Sequence, residues 1–353
     1  GVMDMDESKI NFTLKADDFA KPRIAFNLDL NQIDLDRYLP PFSTKTATEK
    51  KGSGVTEQKK GTKSDYSGLH RLSLNGTMSI GKLKIKNAKI ERVHFTLTGE
   101  KGIFNLKPLT MNLYQGGMSG DGIFNVTSNV PKTNIHMTLN GVQAGPLLND
   151  LIKKDFLEGM LKAQINLNMK GDDAAVIKRT LNGDGDLLFK DGAIKGIDLG
   201  GMVHNINAAF GQAQTGERGP RTDFSEFHVP FSVKNGLVST ANTSLISPFV
   251  RLTASGNADL IKELLDFRLE PKFVETLKGQ GDTKNRSGIM VPVLVTGNFS
   301  SPKFRPDLEG VLKQEIGKSL PELQKKVLGT DSKKEGSKPV EEQLKGILKG
   351  FIK

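Results

Sequence analysis

The sequence predicts a mainly β protein: an elongated, curved antiparallel β-sheet, either an open groove or jelly-roll-like, with a few short helices and a helical C-terminal tail. Three observations carry this expectation. Apolar and polar residues alternate with a period of two through many segments, the pattern of half-buried strands. Glycine is abundant, at 38 of 353 residues, which suits many tight turns. Aromatic residues make up only 6% and Trp is absent, too few for an aromatic-lined ligand cage.

Taken in order, residues 1–42 alternate in short bursts, as in Ile10-Asn-Phe12-Thr-Leu14 and Ile24-Ala-Phe26-Asn-Leu28-Asp-Leu30. They hold too few strands to close a core, so they read as the end of a preceding β region. Residues 43–67 turn to Lys, Thr, Ser, Gly and Glu with almost nothing to bury, the composition of a flexible linker or insertion. The alternation returns over 68–306, read as one β-groove domain. Its clearest stretches are Val93-His-Phe95-Thr-Leu97, Leu109-Thr-Met111-Asn-Leu113, Ile135-His-Met137-Thr-Leu139, Leu161-Lys-Ala163-Gln-Ile165-Asn-Leu167-Asn-Met169 and Val291-Pro-Val293-Leu-Val295.

A loose repeat sits on these strands: an apolar residue, a polar one, Gly, then Asn or Asp, at Gly171, Gly183, Gly256 and Gly297. Glycine inside a strand marks either a bulge that curves the sheet or an ordinary hairpin turn. Three short helices are expected: Gly145 to about Gly159, with Pro146 at its start; Asp172 to Leu181, capped by Asp; and Ile197 to Phe210. Residues 307–353 change to a helical period. Leu308, Val311, Leu312 and Ile316 form one amphipathic stripe. Leu344, Ile347, Leu348, Phe351 and Ile352 form another, with Lys345, Lys349 and Lys353 opposite.

The formal charge of +10 raises nucleic acid or an anionic membrane as partner, but its placement narrows the choice. Residues 41–66 and 310–353 carry +3 and +4 of it, leaving +3 on everything else. A body this close to neutral excludes an extended basic face for nucleic acid. With no Cys there is no disulfide, thiolate metal site or Cys nucleophile. No apolar run approaches the roughly 20 residues of a membrane span, and Gly1-Val2-Met3-Asp4 opens no signal-peptide core.

Candidate chemistry is sparse. His70, His94, His136, His204 and His228 lie in separate segments without the spacing of metal or triad pairs. Gly183-Asp-Gly185-Asp resembles half of a phosphate loop but leads into a strand, and reads as a turn. Asp172 and Asp173 stand at a helix start, where capping accounts for them. The expectation is a protein that is not an enzyme and needs no cofactor or metal. The long apolar face remains, either core of a closed sandwich or wall of an accessible groove.

Several ordered segments resemble the AsmA family. They are Ile33-Asp-Leu-Asp-Arg-Tyr38-Leu-Pro-Pro41, Leu113-Tyr-Gln-Gly-Gly117, Asp191-Gly-Ala-Ile194-Lys-Gly-Ile-Asp-Leu199, Thr222-Asp-Phe-Ser225, and Val291-Pro-Val293 followed by Gly297, Phe299, Pro302 and Pro306-Asp-Leu308. They are similar to the C-terminal half of such proteins and span most of residues 20–310. The resemblance implies a periplasmic protein of a diderm bacterium, held to the inner membrane by an N-terminal helix absent from this chain. It further implies an elongated grooved sheet that passes phospholipid toward the outer membrane.

On that reading the groove is lined by Val93, Phe95, Leu97, Met111, Leu113, Ile135, Met137, Leu139, Ile165, Leu167, Val293 and Val295. Leu344, Ile347, Leu348, Phe351 and Ile352 would meet a membrane surface, or else cap one end of the sheet. The expected partners are phospholipid acyl chains, the membrane surface and possible periplasmic or membrane proteins, with no nucleic acid. The competing function is a periplasmic scaffold for outer-membrane protein assembly, acting through exposed strand edges. A glycan-acting enzyme is disfavoured by the low aromatic count and the lack of a spaced carboxylate pair.

Overall fold

The alternating segments become strands in a computed structural model, which describes residues 1–18, 20–38, 64–198, 220–248, 250–273 and 292–307. Before the polar tract lie β1 (Val2–Met5), β2 (Ser8–Asp17) and β3 (Arg23–Asp34). After it come β4 (Ser73–Ile85), β5 (Ala88–Glu100), β6 (Ile103–Leu113), β7 (Gly116–Asn125), β8 (Lys132–Gln143), β9 (Leu157–Lys170) and β10 (Asn182–Lys195). The last six are β11 (Arg221–Lys234), β12 (Leu237–Ile246), β13 (Val250–Asp259), β14 (Leu264–Phe273), β15 (Val293–Asn298) and β16 (Ser301–Pro306).

All sixteen belong to one sheet whose spatial order is the chain order. The sheet is long, curved and unclosed, with β1 and β16 at its two ends. This is the open alternative of the two expected architectures. Residues Gly1–Pro306 form one compact unit. The polar tract thus interrupts the chain and not the sheet, since β3 pairs directly with β4.

That pair departs from the expected antiparallel pattern: β3 and β4 run parallel, from Arg23 opposite Ser73 to Asp34 opposite Lys84. Parallel neighbours need a crossover that carries the chain back to its starting margin. Residues 35–72 span that return, and 39–63 among them lie outside the described residues.

Among the described residues, two α-helices break the meander. α1 (Ala144–Ile152) joins β8 to β9, and α2 (Ala174–Thr180) joins β9 to β10 on the opposite margin. α1 stops earlier than the expected Gly159. Lys153 takes a left-handed conformation (φ 56°) and its N–H donates to the Asn149 carbonyl, after which the alternation from Leu157 claims the chain for β9. α2 is capped by Asp173, whose carboxylate accepts the Ala175 and Val176 amides at 2.9 and 3.2 Å. The third expected helix lies outside the described residues except for Ile197 and Asp198, as do the C-terminal stripes, including Leu344, Ile347, Leu348, Phe351 and Ile352.

Bulges bend the sheet, but not at the glycine repeat. Register shifts fall between Glu91 and His94, Leu106 and Leu109, Leu139 and Val142, Lys190 and Ala193, and Thr240 and Thr243. Such insertions raise the local twist and bend the strand. One set is aligned across three strands: pairing skips Asn31, Gly81 and Arg92, which keeps Ile33, Leu83 and Ile90 on the same face as Leu30, Ile80 and Val93.

Within the strands, Gly183 and Gly256 of the repeat serve close approach instead. A Cβ on Gly183 would lie 2.0 Å from the Asn166 carbonyl oxygen, and one on Gly256 2.2 Å from that of Asp266. Gly183-Asp-Gly185-Asp is therefore not a turn. It lies inside β10, with Gly183 opposite Leu167 and Gly185 opposite Ile165.

Candidate functional site

The pairing register lays the apolar side chains out in continuous rows. Residues directly opposite one another on neighbouring strands share a face. The central row runs Phe12, Leu28, Met78, Phe95, Leu109, Gly120, Met137, Ile165, Gly185, Phe231, from β2 to β11. A second row runs Leu14, Phe26, Gly76, Leu97, Leu106, Gly122, Ile135, Leu167, Gly183, Val233 and continues through Val238, Ala258, Leu265 and Gly297. Every interruption in these rows is a glycine.

All twelve expected groove residues share this face. Val93 stands opposite Ile80, Met111 opposite Met118, Leu113 opposite Ile90, and Leu139 between Met118 and Ala163. Val293 and Val295 lie between Leu269 and Phe267 on one side and Pro306 and Phe304 on the other. Two core clusters are buried along it, one around Ile10, Leu30, Ile80 and Val93, the other around Leu113, Leu161, Phe189, Leu245 and Leu252. Ile90 and Met111 pack against both, so the apolar surface is unbroken.

Burial along the face separates a wall from a core. Val93 and Val293 are 4% exposed, and Leu113 and Val295 8%. In the central row, by contrast, none of the large side chains is buried: Phe12, Leu28, Met78, Phe95, Leu109, Met137, Ile165 and Phe231 are all half-buried. A second sheet packed on this face would have sealed that row first. Residues before β5 extend the face well beyond the twelve. Their alternation carries the signal, but the polar tract hides that both parts belong to one sheet.

Several glycines, two of them in these rows, seat a phenylalanine ring from the next strand. Gly76 lies under Phe26, Gly185 under Phe231, Gly99 beside Phe104 and Gly256 beside Phe267, and an added Cβ would come within 2.4–2.9 Å of each ring. The opposite face carries cross-strand polar pairs: Thr77 with Asn27, Ser79 with His94, Asn166 with Asp184, and Ser239 with Asn257. His136 and His228 meet Asp121 and Asp186 at 3.4 and 2.7 Å. The histidines thus hold strands together, and His70 donates Nε2–H to the Val126 carbonyl at 2.6 Å. His204 lies outside the described residues. Among those described, no three metal-ligand side chains come together.

The motif that begins at Ile33 ties three turns on the α1 margin. Asp34 caps the 3-10 turn Leu35–Arg37 and accepts from Lys84 Nζ at 2.9 Å. That hydrogen bond, opposed by partial desolvation, holds its carboxyl below the usual range, and it raises the Lys84 ammonium. Asp36 accepts the backbone amides of Lys86 and Asn87, both left-handed, in the β4–β5 turn. Arg37 reaches Glu7 at 3.1 Å and the Tyr38 hydroxyl donates to Asp6, which pins the β1–β2 turn. A shallow cavity lies among these groups, lined by Asp6, Gln32, Asp34, Arg37, Lys84 and Glu91. Asp34, Glu7 and Asp6 are matched to Lys84, Arg37 and the Tyr38 hydroxyl, so the cluster reads as a clasp on the margin.

A single curved sheet, apolar along most of one face and held by polar pairs on the other, defines a class: an open-sheet protein whose distinctive surface resembles hydrocarbon. Within that class the sequence is decisive. The AsmA family model matches residues 2–243, and the chain belongs to the AsmA family. It is also 20% identical over 310 residues to Protein AsmA of Escherichia coli (strain K12), an alignment covering 84% of this chain and 50% of that protein. The chain thus spans about half the length of the curated relative it matches. No solved structure matches it.

Proposed function

We propose that this chain shields phospholipid acyl chains on its apolar face as lipid crosses the periplasm between inner and outer membrane, and so contributes to outer-membrane biogenesis. It does so without catalysis, anchored at the inner membrane by a segment outside this chain. The observation that carries the reading is the unclosed apolar face whose central row stays half-buried from β2 to β11.

The physics fits. Exposing an acyl chain of about 16 carbons to water costs roughly 0.8 kcal/mol per CH₂, or about 13 kcal/mol. Fifteen strand spacings at about 4.8 Å give a contour of roughly 70 Å of continuous apolar cover. Shielding of this kind needs geometry and no nucleophile. Mass spectrometry of lipid retained by the chain after gentle extraction tests it, with phospholipid expected. A preparation free of lipid, yet folded, would count decisively against it.

A scaffold reading rests on a different observation: β1 ends the sheet with Val2 and Met3 exposed at 67% and 47%, an edge open to strand addition. It requires that polar substitution in the central row leave function intact while substitution in β1 abolishes it.

A further inference from the structure

A second surface stands apart from the apolar face. Between the last turn of α1 and the start of β9 the chain exposes three large apolar side chains within six residues, Leu151 at 43%, Ile152 at 51% and Phe156 at 43%. Lys153 and Lys154 lie between them, both exposed. Leu147 and Leu148 of the same helix pack against the core, so its outer end projects from a fixed base.

The charges of this segment are sorted. Asp150 accepts from the Tyr114 hydroxyl at 2.8 Å and has Lys89 at 4.0 Å, while Asp155 is bound by Lys195 at 2.7 Å. Both acids are satisfied from the sheet. Among the described residues no ion pair engages Lys153 or Lys154, and two uncompensated cations remain beside three exposed apolar groups.

We infer that the tip from Leu151 to Phe156 inserts into a bilayer surface bearing anionic headgroups. Apolar side chains flanked by lysines match the acyl boundary and phosphate layer of such a surface. Six residues are far short of the 20–30 per side of a standard protein interface, whereas a few inserted side chains suffice at a membrane. The inference does not depend on what the apolar face carries.

The absence of Trp makes the test clean. Phe156→Trp places one reporter at the tip and Val130→Trp one on the opposite margin, each mixed with vesicles of phosphatidylcholine alone or with about one-third phosphatidylglycerol. The fluorescence of Trp at 156 blue-shifts with anionic vesicles only, and that at 130 does not shift. Adding Lys153→Gln and Lys154→Gln weakens the partition about thirty-fold, and Leu151→Ser with Ile152→Ser weakens it further. Both pairs lie on the surface, and circular dichroism confirms that the sheet persists. Overturning results are equal shifts with neutral vesicles, partition indifferent to the lysines, vesicle binding without a shift at 156, or no binding at all.

Discussion

Placing carboxylates at Met137 and Ile165 would interrupt the proposed track at its midpoint. These residues face each other across β8 and β9 in the central row, and both are half-buried. Two strand spacings occupy about 10 Å of track, along which roughly eight methylenes of an extended chain, each advancing about 1.25 Å, would lose their cover. The face covers one side of the chain, so roughly half of ~0.8 kcal/mol per methylene is at stake, about 3.2 kcal/mol in all. That slows passage roughly 200-fold. Transfer of a dye-labelled phospholipid between vesicles measures the rate, for Met137→Asp/Ile165→Asp and for Thr138→Asp/Gln164→Asp on the other face of the same strands. The first pair is expected to slow transfer by that factor and the second to leave it near the original rate. An unchanged rate in the first pair, with the sheet intact by circular dichroism, would refute the reasoning.

Further outcomes follow from the packing. Gly185→Val drives a Cβ to 2.4 Å from the Phe231 ring and is expected to destabilise the sheet by about 1–3 kcal/mol in urea unfolding, partly recovered by Phe231→Ala. Asp36→Ala leaves the Lys86 and Asn87 amides to water and is expected to cost about 1 kcal/mol by the same measurement. Asp34 has its folded pKa lowered, chiefly by the Lys84 hydrogen bond, so its contribution is full above the ordinary carboxylate value of 3.8 and lost as pH falls below it. Asp34→Asn is therefore expected to flatten the acid limb of the stability–pH curve and, because Lys84 loses the partner that raises its ammonium, to flatten the alkaline limb above the ordinary lysine value of 10.5 as well.

How much of this was legible in the sequence varies by element. Leu161 to Met169 spells out β9 residue by residue, because one wet face and one apolar face impose a strict period of two. The same rule brought Phe95, Met137 and Ile165 to one face without any knowledge of register. Pairing of β3 with β4 was not legible, since nothing local links Arg23 to Ser73 across the intervening tract. Bulges at Arg92 and Asp191 were also hidden, because ordinary side chains there adopt positive φ under the constraint of neighbouring strands. Gly183-Asp-Gly185-Asp carries turn composition, but its glycines answer to Asn166 and Phe231 on the flanking strands, contacts that only the sheet creates. The marginal clasp was visible as a motif at Ile33 to Tyr38, and its targets on two distant turns were not.

The central claim, that the half-buried row meets lipid, is tested most directly by a photo-crosslinking amino acid placed at Ile165 or at its neighbour Gln164, which point to opposite faces of β9. Irradiation in cells followed by mass spectrometry of the adducts is predicted to yield phospholipid at position 165 and none at 164. Adducts equal at both positions, or protein alone at 165, would contradict the account.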